Sequence, residues 1–70
     1  MKKTVFQIQG EFIELNRLLK ATHICQSGGE AGYLATSGEV KLNGVSETRK
    51  RAKIRKGDTV EVNGIEIIIE

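Results

Sequence analysis

Between Val45 and Val60 the chain offers one strongly apolar residue, Ile54, and surrounds it with charge. A segment of that composition cannot supply a core, because folding is driven by removing apolar surface from water. The interior therefore has to be assembled from the residues on either side, with Ile54 as the point that pins the charged run to the body. The wider stretch from Val40 to Lys56 holds seven of the eleven Lys and Arg residues (Lys41, Arg49, Lys50, Arg51, Lys53, Arg55, Lys56) against one acid, Glu47. The rest of the chain carries four basic and eight acidic residues, so a protein of net charge +2 has its positive charge gathered in one region. Segregation of this kind is the electrostatic footprint of a phosphate-backbone binder, and a solvated loop kept soluble by its charge has the same composition.

Seventy residues make one domain, 1–70, and a chain of this length buries only about 60% of its unfolded surface, so the core is small. With 39% hydrophobic and 29% charged residues the balance is globular, and with three aromatics and no Trp the core falls to Ile, Leu and Val. Thr4 to Ile8 reads as a first strand ending at Gly10, with Phe6 and Ile8 on one face. From Glu11 to Ala21 the period changes to that of a helix. Phe12, Leu15, Leu18 and Leu19 form its apolar stripe, with acids in the first turn and bases in the last as the helix dipole prefers.

Ser27, three residues before Glu30, opens a second helix with the signature of a capping box. Its apolar face is Ala31, Leu34 and Ala35, and Gly38 is placed to close it in a left-handed conformation. Gly28, Gly29 and Gly32 each weaken this helix by about 1 kcal/mol relative to Ala, so tertiary packing has to hold it. Beyond it Val40 and Leu42 face inward, Asn43-Gly44 and Gly57-Asp58 mark turns, and a hairpin closes the domain. In that hairpin Val60 and Val62 meet Ile65, Ile67 and Ile69 across the Asn63-Gly64 loop. Ile68 falls on the opposite face, either in a second buried layer or at a partner surface.

The chemistry-bearing residues exclude more than they suggest. Cys25 cannot form an internal disulfide, and no apolar run approaches the roughly 20 residues that span a bilayer, so a cytoplasmic protein without membrane contact is expected. His23 and Cys25 lie close together, but a structural zinc site wants four ligands and neither residue type recurs. No nucleophile and base pair with an orienting third group is present, nor a pair of carboxylates in a pocket, so no catalytic residue, metal or cofactor is expected. The Gly28-Gly29 pair either allows close packing of the two helices or exposes amides at a helix N-terminus, where a phosphate can approach. Tyr33, away from its helix's apolar face, can stack on a base or pack on the helix surface.

Four segments together resemble a known family: LNRLLK (Leu15 to Lys20), SGGEA (Ser27 to Ala31), SGEVKLNG (Ser37 to Gly44) and KIRKGDTV (Lys53 to Val60). In this order and at these separations they are similar to the S4 RNA-binding domain, and more narrowly to the short, stand-alone bacterial S4-like proteins of the YbcJ type. The resemblance implies an α+β fold of the αL type, two helices packed on a small, mainly antiparallel sheet, with structured RNA lying across the helix starts and the following loops. It places contacts at Lys20, at Ser27, Gly28 and Gly29, and at Arg49, Lys50 and Arg51; the charge of the run adds Lys41, Lys53, Arg55 and Lys56. Many S4 domains carry Arg where this chain has Glu14 and Gly28, and similar proteins often carry Lys where it has Gly32, which shifts weight onto the basic stretch.

The expected function is therefore non-catalytic recognition of structured RNA, ribosomal RNA foremost, by a monomer acting through phosphate and shape contacts. The settings that the resemblance implies are the ribosome or its subunits, during assembly or translation quality control. The alternative is a module docking on an acidic protein, with Ile68 or the edge of the final strand for adhesion. Charge alone does not separate RNA from DNA.

Overall fold

The computed structural model describes residues 2–70. Its elements run β1 (Lys2–Phe6), β2 (Ile13–Glu14), α1 (Leu15–Ala21), α2 (Gly28–Thr36), β3 (Lys41–Leu42), β4 (Val45–Ser46), β5 (Lys53–Ile54), β6 (Thr59–Val62) and β7 (Ile65–Ile69). The alternation at the C-terminal end forms the expected hairpin, with Val60 opposite Ile67 and Val62 opposite Ile65. Asn63 and Gly64 both take positive φ, 51° and 73°, the backbone that matches the twist of two strands joined by a two-residue turn. Asn43 and Gly44 do the same at 53° and 84°, joining β3 to β4. The strand order is β1-β7-β6-β3-β4, and β2 pairs with β5 in a separate two-stranded ladder.

One face of the larger sheet is apolar and is covered by the helices. Val60, Val62, Ile67 and Ile69 are buried in one cluster with Leu15, Leu18 and Leu19 of α1, Ala31 and Ala35 of α2, and Val40, Cys25, Ala52 and Ile54. This is the α+β arrangement that the resemblance implies. The sheet is antiparallel except at one side, where β1 runs parallel to β7 from Lys2 opposite Ile65 to Phe6 opposite Ile69. The first strand thus begins and ends earlier than Thr4 to Ile8, although the chain stays tied to β7 beyond it: Ile8 N–H donates to Glu70 O at 2.9 Å. Because β1 lies beside it, the final strand is an interior strand, and the adhesive edge considered for it does not exist. Ile68 is half-buried on the outer face, next to the exposed Val5.

The first helix begins at Leu15, not Glu11, and the cause is a long-range contact. Ile13 and Glu14 are extended and pair with Ile54 and Lys53. The next two amides then meet carbonyls of the basic segment, Leu15 N–H to Ala52 O and Asn16 N–H to Lys50 O, both at 2.9 Å. Helix starts leave amides without intrahelical partners, and here the basic segment supplies them while Glu14, at the cap position, makes no side-chain cap bond. Glu11 and Phe12 fall outside the helix, so the first turn holds no acid and Phe12 is 40% exposed instead of joining the core stripe.

The second helix starts as its sequence suggests. Ser27 Oγ accepts from Glu30 N–H at 3.1 Å, the Ser arm of the capping box, and Gly38 closes the end at φ 84°. A side-chain clasp joins the two remaining turns. Asn43 Nδ2 donates to Asp58 Oδ1 at 3.1 Å, Asn43 Oδ1 accepts from Thr59 N–H at 2.9 Å, and Asp58 Oδ2 accepts from Arg55 N–H at 2.8 Å. The Asn-Gly and Gly-Asp signals are therefore halves of one structural unit that orients the end of the basic run.

Ile54 is fully buried and Val45 is 70% exposed. Ile54→Ala is expected to cost about 2–5 kcal/mol, a large fraction of what a chain of this size holds, whereas Val45→Ala stays within about 0.5 kcal/mol of the parent. Urea midpoints of the two variants check this.

Candidate functional site

The basic run passes through a turn, closed by Ala52 N–H donating to Arg49 O at 3.0 Å, into the short strand β5, and it presents two faces. Ala52 and Ile54 are buried at 5% and 0% exposure, while Arg49, Arg51, Lys53 and Arg55 are exposed and line one groove of about 350 Å³. The turn over Lys50 and Arg51 and the alternation along β5 together separate cations from anchors. Its ties to Leu15 and Asn16 hold it across the start of α1, and Lys50 turns toward α2, where a Cβ on Gly32 would stand 3.4 Å from Lys50 Cδ. The glycine thus leaves space along which the lysine stem runs. The four groove cations are displayed on a backbone that both a buried side chain and main-chain bonds hold in place.

Arg49 is already engaged. Its Nε donates to Glu47 Oε2 at 3.1 Å and its Nη2 to Glu47 Oε1 at 3.3 Å, a bidentate pair, and its own amide also donates to Glu47 Oε2 at 3.1 Å. The hydrogen bond from the Arg49 side chain, then that from its amide, hold the Glu47 carboxyl below its ordinary value of 4.5, and the same pair raises the guanidinium. The one acid of the run therefore fixes an arginine and cancels part of its charge. Lys53 Nζ stands 5.0 Å from the centre of the Phe12 ring, within the range of a cation–π contact.

The other expected site residues are placed less uniformly. Lys20 is exposed in the last turn of α1. Ser27 spends an acceptor site on its cap, and a Cβ built on Gly28 meets nothing within 4 Å, on Gly29 only Ser27 Oγ at 4.0 Å. Close packing of helices is therefore not what these glycines are for, and their backbone is open to solvent. Lys41 does not join the groove: it lies on the outer face of the sheet, opposite Glu61 and Ser46. Lys56 borders a separate groove with Gln7, Ile8 and Glu70. The alternation of Ala52 and Ile54 with Arg51, Lys53 and Arg55 is the sequence signal for the groove, and Arg49 joins it from the other end of the turn.

Among the described residues no group of three or more His, Cys, Asp or Glu could hold a metal ion, and no helix is long and apolar enough to cross a membrane. Cys25 is buried, and burial, followed by the charge of Glu30, pushes its thiol up, away from the reactive thiolate.

Two helices packed on a small, mainly antiparallel sheet make an α+β fold of the αL, S4-like type. The chain belongs to the S4 domain family, which matches residues 6–70. It is similar to YbcJ of Escherichia coli (strain K12), provisionally described as an RNA-binding protein, at 44% identity over 52 residues, 74% of each chain. It is also similar to RlbA of Bacillus subtilis (strain 168), provisionally described as a ribosome maturation protein, at 37% identity over 57 residues, 81% of this chain and 80% of that one. The solution structure of Escherichia coli YbcJ, whose αL motif is described as involved in RNA binding, superposes with a TM-score of 0.62 at 34% identity, covering 97% of this chain and 87% of that chain.

Two outcomes follow from the Glu47–Arg49 pair. Because the folded carboxyl titrates below 4.5, the pair's contribution is complete above that value and is lost as pH falls through the lowered one. Carbon-detected NMR titration should find the Glu47 midpoint depressed in the parent and raised toward its ordinary value in Arg49→Ala, where only the main-chain donors of the carboxylate remain. Glu47→Gln frees the guanidinium and adds one net positive charge, so this variant should elute from a heparin column at higher salt than the parent.

Proposed function

We propose that this protein is a non-catalytic RNA-binding protein that engages structured RNA, ribosomal RNA foremost, in the setting of ribosome assembly or translation. The observation that carries this reading is the row Arg49, Arg51, Lys53 and Arg55 along one groove, presented on a backbone fixed to the start of α1. Four cations along one groove, on a segment whose backbone is tied to α1 and anchored by Ile54, suit a run of phosphates, because little backbone freedom remains to be lost on binding. Arg51 and Arg55 can each grip a phosphate through two donors, Arg49 offers the donors that Glu47 leaves free, and Lys53 acts as a point charge. The open backbone at Gly28 and Gly29 and the exposed Lys20 offer further places for a phosphate. Lys50, packed along Gly32, adds charge between segment and helix.

None of these groups reads a base sequence, so the preference is for the geometry of folded RNA through backbone and 2′-hydroxyl contacts. The provisional description of the Bacillus subtilis relative as a ribosome maturation protein supports the ribosomal setting, and that of YbcJ supports RNA as the ligand. The chain acts as one domain and as a monomer.

Fluorescence anisotropy with a folded ribosomal RNA fragment and a duplex DNA control, at several salt concentrations, tests the proposal. The parent should prefer the RNA. Changing Arg49, Arg51 and Arg55 together to Ala should weaken binding and flatten the dependence of log K on log salt by roughly two to three units. Equal binding by parent and variant would mean that the groove is a solvated surface.

A further inference from the structure

A second groove, of about 620 Å³, lies between the chain that follows β1 and the start of α1, and it is not part of the phosphate row. Its size is that of a site for a small organic group, within the usual range of roughly 300–1,000 Å³. Gln7 and Gln9 line it from one side and Phe12, Glu14 and Arg17 from the other. The placement of Phe12 is otherwise unexplained. It is 40% exposed, it lies outside the core cluster, and the helical stripe that could have buried it begins three residues later.

Phe12 also links the two grooves. Lys53 lines the phosphate groove and places its ammonium 5.0 Å from the Phe12 ring centre, while the same ring lines the larger groove. A strand whose phosphates lie along Arg51 and Lys53 is thereby led toward an aromatic surface flanked by neutral amides. Aromatic rings bind unstacked bases with little regard to identity, and glutamine amides offer both donors and acceptors to a base edge.

We propose that this groove receives an unpaired nucleobase of the bound RNA, stacked on Phe12 and continuous with the phosphate contacts at Lys53. The inference rests on the RNA-binding reading above and adds to it a single-stranded element. The preferred ligand is then a structured RNA with an unpaired nucleotide at the end of a helix or in a bulge, and Phe12 is the residue that distinguishes it from a fully paired one.

The test compares one RNA hairpin in four forms: blunt, with a short 5′ extension, with a short 3′ extension, and with abasic sugars in place of the extension's bases. The parent protein should bind one of the extended forms about tenfold more tightly than the blunt form, the weight of a single stacked base. Phe12→Ala should bind the blunt, abasic and extended forms equally, and Phe12→Tyr should restore the preference. A 2-aminopurine in the favoured extension should be quenched by the parent and not by Phe12→Ala. Circular dichroism of each variant confirms that the fold is retained, as the exposure of Phe12 leads one to expect. If the parent binds blunt, abasic and extended hairpins alike, or if Phe12→Ala keeps the preference, the stacking site is overturned while the RNA-binding reading stands. If the parent binds none of them, both fall.

Discussion

The basic segment is held to the body of the protein by two main-chain hydrogen bonds, from Leu15 and Asn16 to the carbonyls of Ala52 and Lys50, and most of what is distinctive here follows from them. A helix start needs partners for its first amides, and a charged segment made of a turn and a two-residue strand needs something to hold it still. Each need meets the other. Because the partner is backbone and not a capping side chain, residue 14 need not be a good cap, and the exposed positions 49, 51, 53 and 55 are free to be chosen for charge. Ile54 adds the apolar anchor, and the short pairing of β2 with β5 sets the register between the two.

The same logic of local need met from a distance applies to the turns. Asn43 takes the left-handed conformation of the β3–β4 turn and also spends its side chain on Asp58 and Thr59. Asp58 in turn accepts from the Arg55 amide. A residue pair far apart in sequence thus aligns the exit of the basic segment with the sheet. The charged surface inherits its geometry from neutral and buried groups: amides, an isoleucine and a glycine that leaves room for the Lys50 stem.

Where local chemistry decides the structure, the sequence was a good guide. The hairpin about Asn63-Gly64, the Ser27 cap, the closing Gly38 and the burial of Ile54 all rest on neighbours within a few residues or on a single strong preference. The start of α1 was misplaced because Phe12 continues the helical stripe and Glu11 and Glu14 suit a first turn, while the deciding bonds come from residues 50 to 54. The parallel pairing of β1 is of the same kind, a contact between the two ends of the domain that neither strand announces. Within the site, the charge was legible and its division was not. That Lys41 and Lys56 lie elsewhere depends on the sheet register and on the turn that ends the run, whereas the Glu47–Arg49 pair is local, two residues apart.

The position of β1 also bears on how the protein avoids self-association while it is being made. The strand it covers, Ile65 to Ile69, contains three consecutive isoleucines and would present a row of unpaired amides and carbonyls if left at the sheet's edge. Segments of this composition at an open edge template the growth of fibrils. β1 instead puts Lys2 and Lys3 at the rim, side chains that oppose strand addition from a second molecule. Since β1 is synthesised first and its partner last among the described elements, the shield is already waiting when the hazardous strand leaves the ribosome.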